Sequence, residues 1–208
     1  MSDVSKRKWI SFIGSFCCLP LLGCWASQQA IVFRKTSSPN NTYSVNLKGG
    51  KGAPDGHVHA DVFKKGQSFI SDILLHSGGE TFRPFEDAYP DLRWSNEHVL
   101  EFYRRETYEQ GSDLIQVINK STKPVSYLLV ESVNKFLLFD VQPGAASSLA
   151  VPASSLDSQW IGVEGVFSNG KKLLFTSRSL NRSASQHSSS VYVIVISDSE
   201  LTIEAEGV

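Results

Sequence analysis

Residues 162–176 read Gly-Val-Glu-Gly-Val-Phe-Ser-Asn-Gly-Lys-Lys-Leu-Leu-Phe-Thr, two apolar-rich runs parted by Asn169-Gly170. Asn-Gly tolerates the positive φ that a type I′ turn needs at both central positions, so the stretch predicts a β-hairpin. Working outward, the same grammar repeats at short spacing. Val125–Val130, Lys135–Val141 and Ser148–Val151 read as strands, the last two joined by Gln142-Pro143-Gly144, a type II turn signal. In the second of these, Phe136, Leu138 and Val141 share the strand with Leu137 and Phe139, which fills both faces with core residues. Val191–Ile196 is also apolar on both faces and predicts an interior strand covered on each side. Leu201, Ile203 and Ala205 suit one further edge strand.

Upstream, Tyr43–Leu47 alternates apolar and polar residues. His57–Phe63 does so with Val58, Ala60 and Val62 on one face. Lys65-Gly66 predicts a tight turn into Ser68–Leu75. Residues 98–104 and 113–119 are strand-like, and Lys120–Pro124 is a turn cluster. Asn96–Tyr108 fits a helical period in part, but strand alternation through Val99, Glu101 and Tyr103 fits as well. No window sustains apolar residues at helical spacing. The fold class is therefore all-β, an antiparallel β-sandwich.

The chain has 208 residues, with 20 Lys+Arg against 21 Asp+Glu and 41% apolar residues. That is ordinary globular composition, and the balanced charge argues against a nucleic-acid partner. The three cysteines lie at 17, 18 and 24, which excludes a disulfide framework in the body.

The N-terminus carries the strongest signal. Lys6-Arg7-Lys8 precedes 9–26, a stretch of 18 residues without charge, and Asp3 is the only acid before residue 55. A positive start followed by an apolar run is the pattern of an export signal, with the cations holding the cytoplasmic end. Leu21-Leu22-Gly23-Cys24 resembles the lipobox of bacterial lipoproteins: Leu21, Gly23 and Cys24 match, and Leu22 stands where a smaller residue is usual. The resemblance implies cleavage before Cys24 and fatty acylation, palmitate-type, of its sulfur, with the lipid bilayer as the chain's first partner. It also implies outer-membrane rather than inner-membrane sorting, since Trp25 rather than Asp follows. The alternatives are an uncleaved N-terminal membrane helix and a plain cleaved signal. Cys24 would be the sole thiol of the mature chain, and residues 1–23 hold three of the basic residues and one of the acids.

The expected organisation is a signal peptide over 1–23, a tether over 24–42 and a β-sandwich over 43–208. The last is either one unit or a small sheet over 43–110 plus a module over 113–197. Within the tether, Ala30-Ile31-Val32-Phe33 is either a first strand or an apolar part of the linker. On Asn119–Pro124, Gln142–Ala145 and the Asn-Gly hairpin, the region 113–197 loosely resembles immunoglobulin-like or transthyretin-like bacterial modules.

Catalytic motifs are few. The sequence has no Gly-x-Ser-x-Gly and no His-Glu-x-x-His, and Gly49-Gly-Lys-Gly52 lacks phosphate-loop spacing. His57, His59 and Asp61 sit two apart, so a strand would project all three from one face, where they would either hold a metal or form a solvated face. Glu80, Glu86, Asp87, Asp91, Glu97 and Glu101 crowd a stretch with Phe82, Phe85, Tyr89 and Trp94. Carboxylates beside aromatics suit a sugar-binding or glycosidase cleft, and equally a long loop with buried anchors. The loop 77–91 is long for a compact sandwich and is the expected location of function. Trp160, in a strand pattern, is expected in the core.

These readings favour a non-enzymatic, membrane-anchored envelope lipoprotein that needs no cofactor and binds an envelope protein or a glycan. The alternative is an exported hydrolase or metal-dependent enzyme using the 57–61 strand or the acidic, aromatic stretch 77–101.

Overall fold

The structure is a computed structural model, and it describes residues 31–49, 57–76, 89, 91–103, 112–132, 134–152, 158–181 and 191–206. Among the described residues there is no helix, and so none long and apolar enough to cross a membrane. The strands are β1 (Ile31–Ser37), β2 (Tyr43–Gly49), β3 (Val58–Lys64), β4 (Gln67–His76), β5 (Asp91–Asn96), β6 (Val99–Tyr103) and β7 (Ser112–Asn119). They continue with β8 (Val125–Glu131), β9 (Lys135–Val141), β10 (Ala146–Pro152), β11 (Ser158–Phe167), β12 (Lys172–Asn181), β13 (Val191–Ile196) and β14 (Leu201–Glu206). The all-β sandwich expected from the alternation is what the chain forms.

Strand β9 explains the layering. Alternate side chains of a strand point to opposite faces, and β9 is apolar on both. Phe136 and Leu138 pack with Leu128, Val130, Ile161, Val163 and Ile194, while Leu137 and Phe139 pack with Leu129, Leu100, Val45 and Val62. The sheet that holds β9 must therefore be covered twice. It is six-stranded, in the order β12-β11-β8-β9-β6-β5. A sheet of order β1-β2-β3-β4 covers one face, and a sheet of order β10-β7-β13-β14 covers the other. The result is three β layers around two cores.

This layering corrects two boundaries. Residues 24–42 are not tether throughout, because β1 pairs with β2 from Ile31↔Gly49 to Ser37↔Ser44. Backbone pairing and the bond from Trp94 Nε1 to Thr36 Oγ1 (2.9 Å) bind this edge into the fold. Nor do the sheets divide near residue 110, because β6 pairs with β9 through Val99↔Leu138 and Leu100↔Leu137.

From β6 onward the chain crosses repeatedly between the middle sheet and the far one, and two turns brace the crossings. Buried Asn119 donates through Nδ2 to the carbonyls of Lys123 (3.0 Å) and Val141 (2.9 Å) and accepts from Ser121 N–H and Oγ–H. The turn at Gln142–Ala145 closes with Ala145 N–H on the Gln142 carbonyl and Gly144 at φ 77°, the type II geometry expected of Pro-Gly.

Two local expectations need correction. Asn169-Gly170 forms a three-residue loop rather than a type I′ turn: Gly170 N–H bonds the Phe167 carbonyl, Phe167 N–H bonds the Lys171 carbonyl, and of the pair only Gly170 has positive φ. A type I turn followed by a left-handed glycine gives this arrangement. It prevails because Pro124 takes the Ser168 N–H and the Asn169 side chain accepts from Lys171 N–H. Strand β13 is interior, but Val191 and Val195 on its outer face are only half-buried, and its pairing with β7 is parallel, as no other pair among the described residues is.

The first sheet is fastened to the middle one by charge as well as by packing. Asp140, at φ 53°, accepts from Lys64 Nζ (2.8 Å), Tyr43 Oη (3.3 Å) and Gln142 Nε2 (2.8 Å). Tyr43 stacks on Phe139 with centroids 5.3 Å apart.

Candidate functional site

The candidates read from the sequence do not converge on one place. His57, just before β3, and His59 on it have rings 6.4 Å apart. Asp61 is engaged elsewhere, accepting from Lys48 Nζ (2.9 Å) and from the Asp72 N–H (2.9 Å). Asp72 has φ 65° in the irregular stretch of β4 opposite Asp61, and its carboxylate lies 3.1 Å from His59 Nδ1 and 3.2 Å from Lys48 Nζ. A carboxylate held by a cation and a bulged backbone amide is fixing a strand irregularity. Among the described residues no group of three His, Cys, Asp or Glu is placed to hold a metal.

The acidic, aromatic stretch is dispersed. Phe82 and Phe85 lie outside the described residues, as does most of the loop 77–91. Tyr89 is buried in the core between the first and middle sheets, and Trp94 is half-buried against Phe139. Glu101 is buried and accepts from the hydroxyls of Ser95 and Tyr103. Burial, and then the Glu101 hydrogen bond and charge, push the Tyr103 hydroxyl up to about 12.

Glu97 clamps the β1–β2 turn to the β5–β6 turn. Its carboxylate accepts from Ser38 Oγ, from Asn40 N–H (2.9 Å) and from Thr42 N–H (3.0 Å). Desolvation would raise this carboxyl, but the Ser38, Asn40 and Thr42 hydrogen bonds outweigh it and bring it from 4.5 down to about 2. A depressed carboxyl contributes stability above its unfolded value and loses it as pH falls through the folded one. Amide exchange at Asn40 and Thr42 should therefore accelerate, beyond its intrinsic pH dependence, between pH 4.5 and about 2. Glu97→Gln should expose both amides already at neutral pH and remove that step, as exchange measured by NMR would record.

The site that the sequence reading missed is on the middle sheet. Ile161 and Val163 of β11 point into the core shared with the far sheet, so Trp160, Gly162 and Glu164 form a row on the opposite face. That face is shared with the first sheet at Tyr127, Leu129, Leu137 and Phe139, and along the β11 row Trp160 is exposed, Glu164 half-buried and Gly162 buried. Trp160 is 44% exposed there, which corrects its expected place in the core. Register sets its neighbours. Gly162 lies opposite Glu131, Glu131 opposite Lys135, Glu164 opposite Leu129, and Val166 opposite Tyr127.

Glu131 and Glu164 are diagonal neighbours, about 7–8 Å apart by sheet geometry. Glu131 is ion-paired to Lys135, whose Nζ also lies 5.9 Å from the Tyr89 ring centroid. Burial, and then the Glu131 charge, push the Glu164 carboxyl up, against the pull of Lys172 and Lys135. Burial and the Glu164 charge likewise raise the Tyr127 hydroxyl. The shelf thus offers an indole face, a glycine floor, two carboxylates and flanking ammonium groups. Gly162 and Glu164 lie where β11 pairs with β8, and Trp160 pairs with Ser179 of β12. The signal was in the sequence: in Trp160-Ile-Gly-Val-Glu164, two β-branched residues claim the core face and leave Trp with Gly and Glu on the other.

No protein-family model, no curated protein and no solved structure matches this chain.

Proposed function

We propose that this chain is a lipid-anchored protein of the bacterial cell envelope, held at the outer membrane through acylated Cys24. In this reading it binds glycan, without catalysing a reaction, on the β11 row of its middle sheet. The anchor rests on the charge pattern of 6–26 and on Leu21, Gly23 and Cys24. The observation that carries the binding role is the exposed Trp160 in one row with Gly162 and Glu164 on β11, a strand of the middle sheet.

A sugar ring presents an apolar C–H face that stacks on the electron-rich face of an indole. Its hydroxyls donate to carboxylates in charge-assisted hydrogen bonds. Gly162 adds no side chain between Trp160 and Glu164. The ion pair of Glu131 with Lys135 holds the floor of the shelf in a fixed geometry.

The test is co-sedimentation of the purified full chain, in detergent, with insoluble peptidoglycan sacculi. Aromatic anchors at binding surfaces typically contribute about 2 kcal/mol or more, so Trp160→Ala should weaken retention at least about tenfold. As an exposed side chain it should leave the unfolding midpoint nearly unchanged. Equal retention of the variant and the unaltered chain would contradict the binding role. Release of reducing sugar that depends on Glu164 would replace it with a catalytic one.

A further inference from the structure

Strand β1 is the outer edge of the first sheet, and its first three residues, Ile31, Val32 and Phe33, are 46%, 40% and 37% exposed. Three consecutive exposed apolar side chains are unusual on a strand, where alternation normally hides every second one. The reason is local: the register shifts between Val32 and Arg34, and Phe33 lies over Gly49, 3.5 Å from where a Cβ on that glycine would stand, instead of entering the core. An open, apolar strand edge is a liability in solution and is ordinarily blunted or covered.

Two observations identify the cover. The first is chain length: Ile31 is seven residues from Cys24, and an extended chain spans at most about 3.3–3.6 Å per residue, so the patch sits within about 25 Å of that sulfur. The second is charge: residues 24–54 hold Arg34, Lys35, Lys48 and Lys51 and no acid, and Lys35 is exposed beside the patch. Lys48 is paired with Asp61 and Asp72 of the same sheet, whereas Lys35 stands exposed on β1 two residues from Phe33.

We infer that Ile31, Val32 and Phe33 form a membrane-contact edge that seats the first sheet on a bilayer surface carrying anionic headgroups. This rests on the acylation of Cys24 proposed above. The acyl chains supply the anchorage, and the patch sets the orientation. Apolar side chains enter the boundary between headgroups and acyl chains while neighbouring cations face lipid phosphates, as at interfacial anchors generally.

The test uses the full acylated chain carrying Phe33→Cys, or Val32→Cys as a second carrier, labelled with an environment-sensitive fluorophore. Ser148→Cys, on exposed β10 of the far sheet, is the reference. Each chain is reconstituted into phosphatidylethanolamine–phosphatidylglycerol vesicles with brominated acyl chains. If Cys24 is acylated, each variant takes a single label. We expect emission from position 33 or 32 to be blue-shifted and quenched at least twofold more than from 148.

A singly labelled, vesicle-bound chain with no such difference would overturn this inference and leave the anchor standing. Dequenching on dilution with unlabelled chain would assign the edge to a second copy and overturn it likewise. More than one label per chain would overturn the acylation reading and this inference with it.

Discussion

Phe139→Ala should lower the unfolding midpoint by about 10 °C and loosen the first sheet more than the far one. The ring is fully buried on the middle strand of the middle layer, stacked on Tyr43 and 5.9 Å from Trp94. Truncating a buried phenylalanine costs about 3–5 kcal/mol, because surrounding side chains only partly close the cavity. At about 2–4 °C per kcal/mol for a chain of this size, that gives the stated shift. The direction of loosening tests the layering itself. Phe139 packs with β2 and β3, while Phe136, three residues earlier on the same strand, packs with β7 and β13. Hydrogen exchange should therefore quicken in Val45 and Val62 for Phe139→Ala, and in Val117 and Ile194 for Phe136→Ala. Equal loosening of both outer sheets by either variant would contradict the three-layer arrangement.

Cys24→Ser should move the protein from the membrane fraction to the soluble fraction of its native cells, a change of more than tenfold. One acyl chain gives marginal membrane affinity, and each additional buried methylene contributes about 0.8 kcal/mol, so a multiply acylated sulfur anchors firmly. Once it is lost, three half-exposed apolar side chains on β1 are too small to retain the chain alone. Unchanged retention of the serine variant would favour an uncleaved N-terminal helix over 9–26, the competing reading of the same residues.

Strand positions were legible wherever alternation met turn chemistry. Lys65-Gly66, expected as a tight turn, joins β3 to β4 with positive φ at both residues, 51° and 78°. Asn169-Gly170 marked its hairpin correctly but not its loop type, because the competing bond from Ser168 N–H to Pro124 comes from a residue 44 positions away. The two-faced apolar character of β9 was visible as well. Which sheet would cover each face was not, since alternation is a property of one strand and stacking depends on pairings between distant ones.

The candidate site was less legible, for a related reason. Residue type suggested chemistry for Asp61, Glu97 and Glu101, yet each is spent on holding backbone or neighbouring side chains in place. A carboxylate's partners are set by tertiary approach, and its sequence neighbours do not reveal them. Trp160 was misjudged because large aromatics are usually core. Ile161 and Val163 take the core face of β11, which turns Trp160 to the other face, where it is exposed.

The most direct measurement of the anchoring proposal is the intact mass of the mature protein purified from its native host, with fragmentation of its N-terminal peptide. The proposal requires a chain beginning at Cys24 and carrying a thioether-linked diacylglycerol, with residues 1–23 absent. An unmodified thiol at Cys24, or a chain that retains Trp9–Gly23, would contradict it.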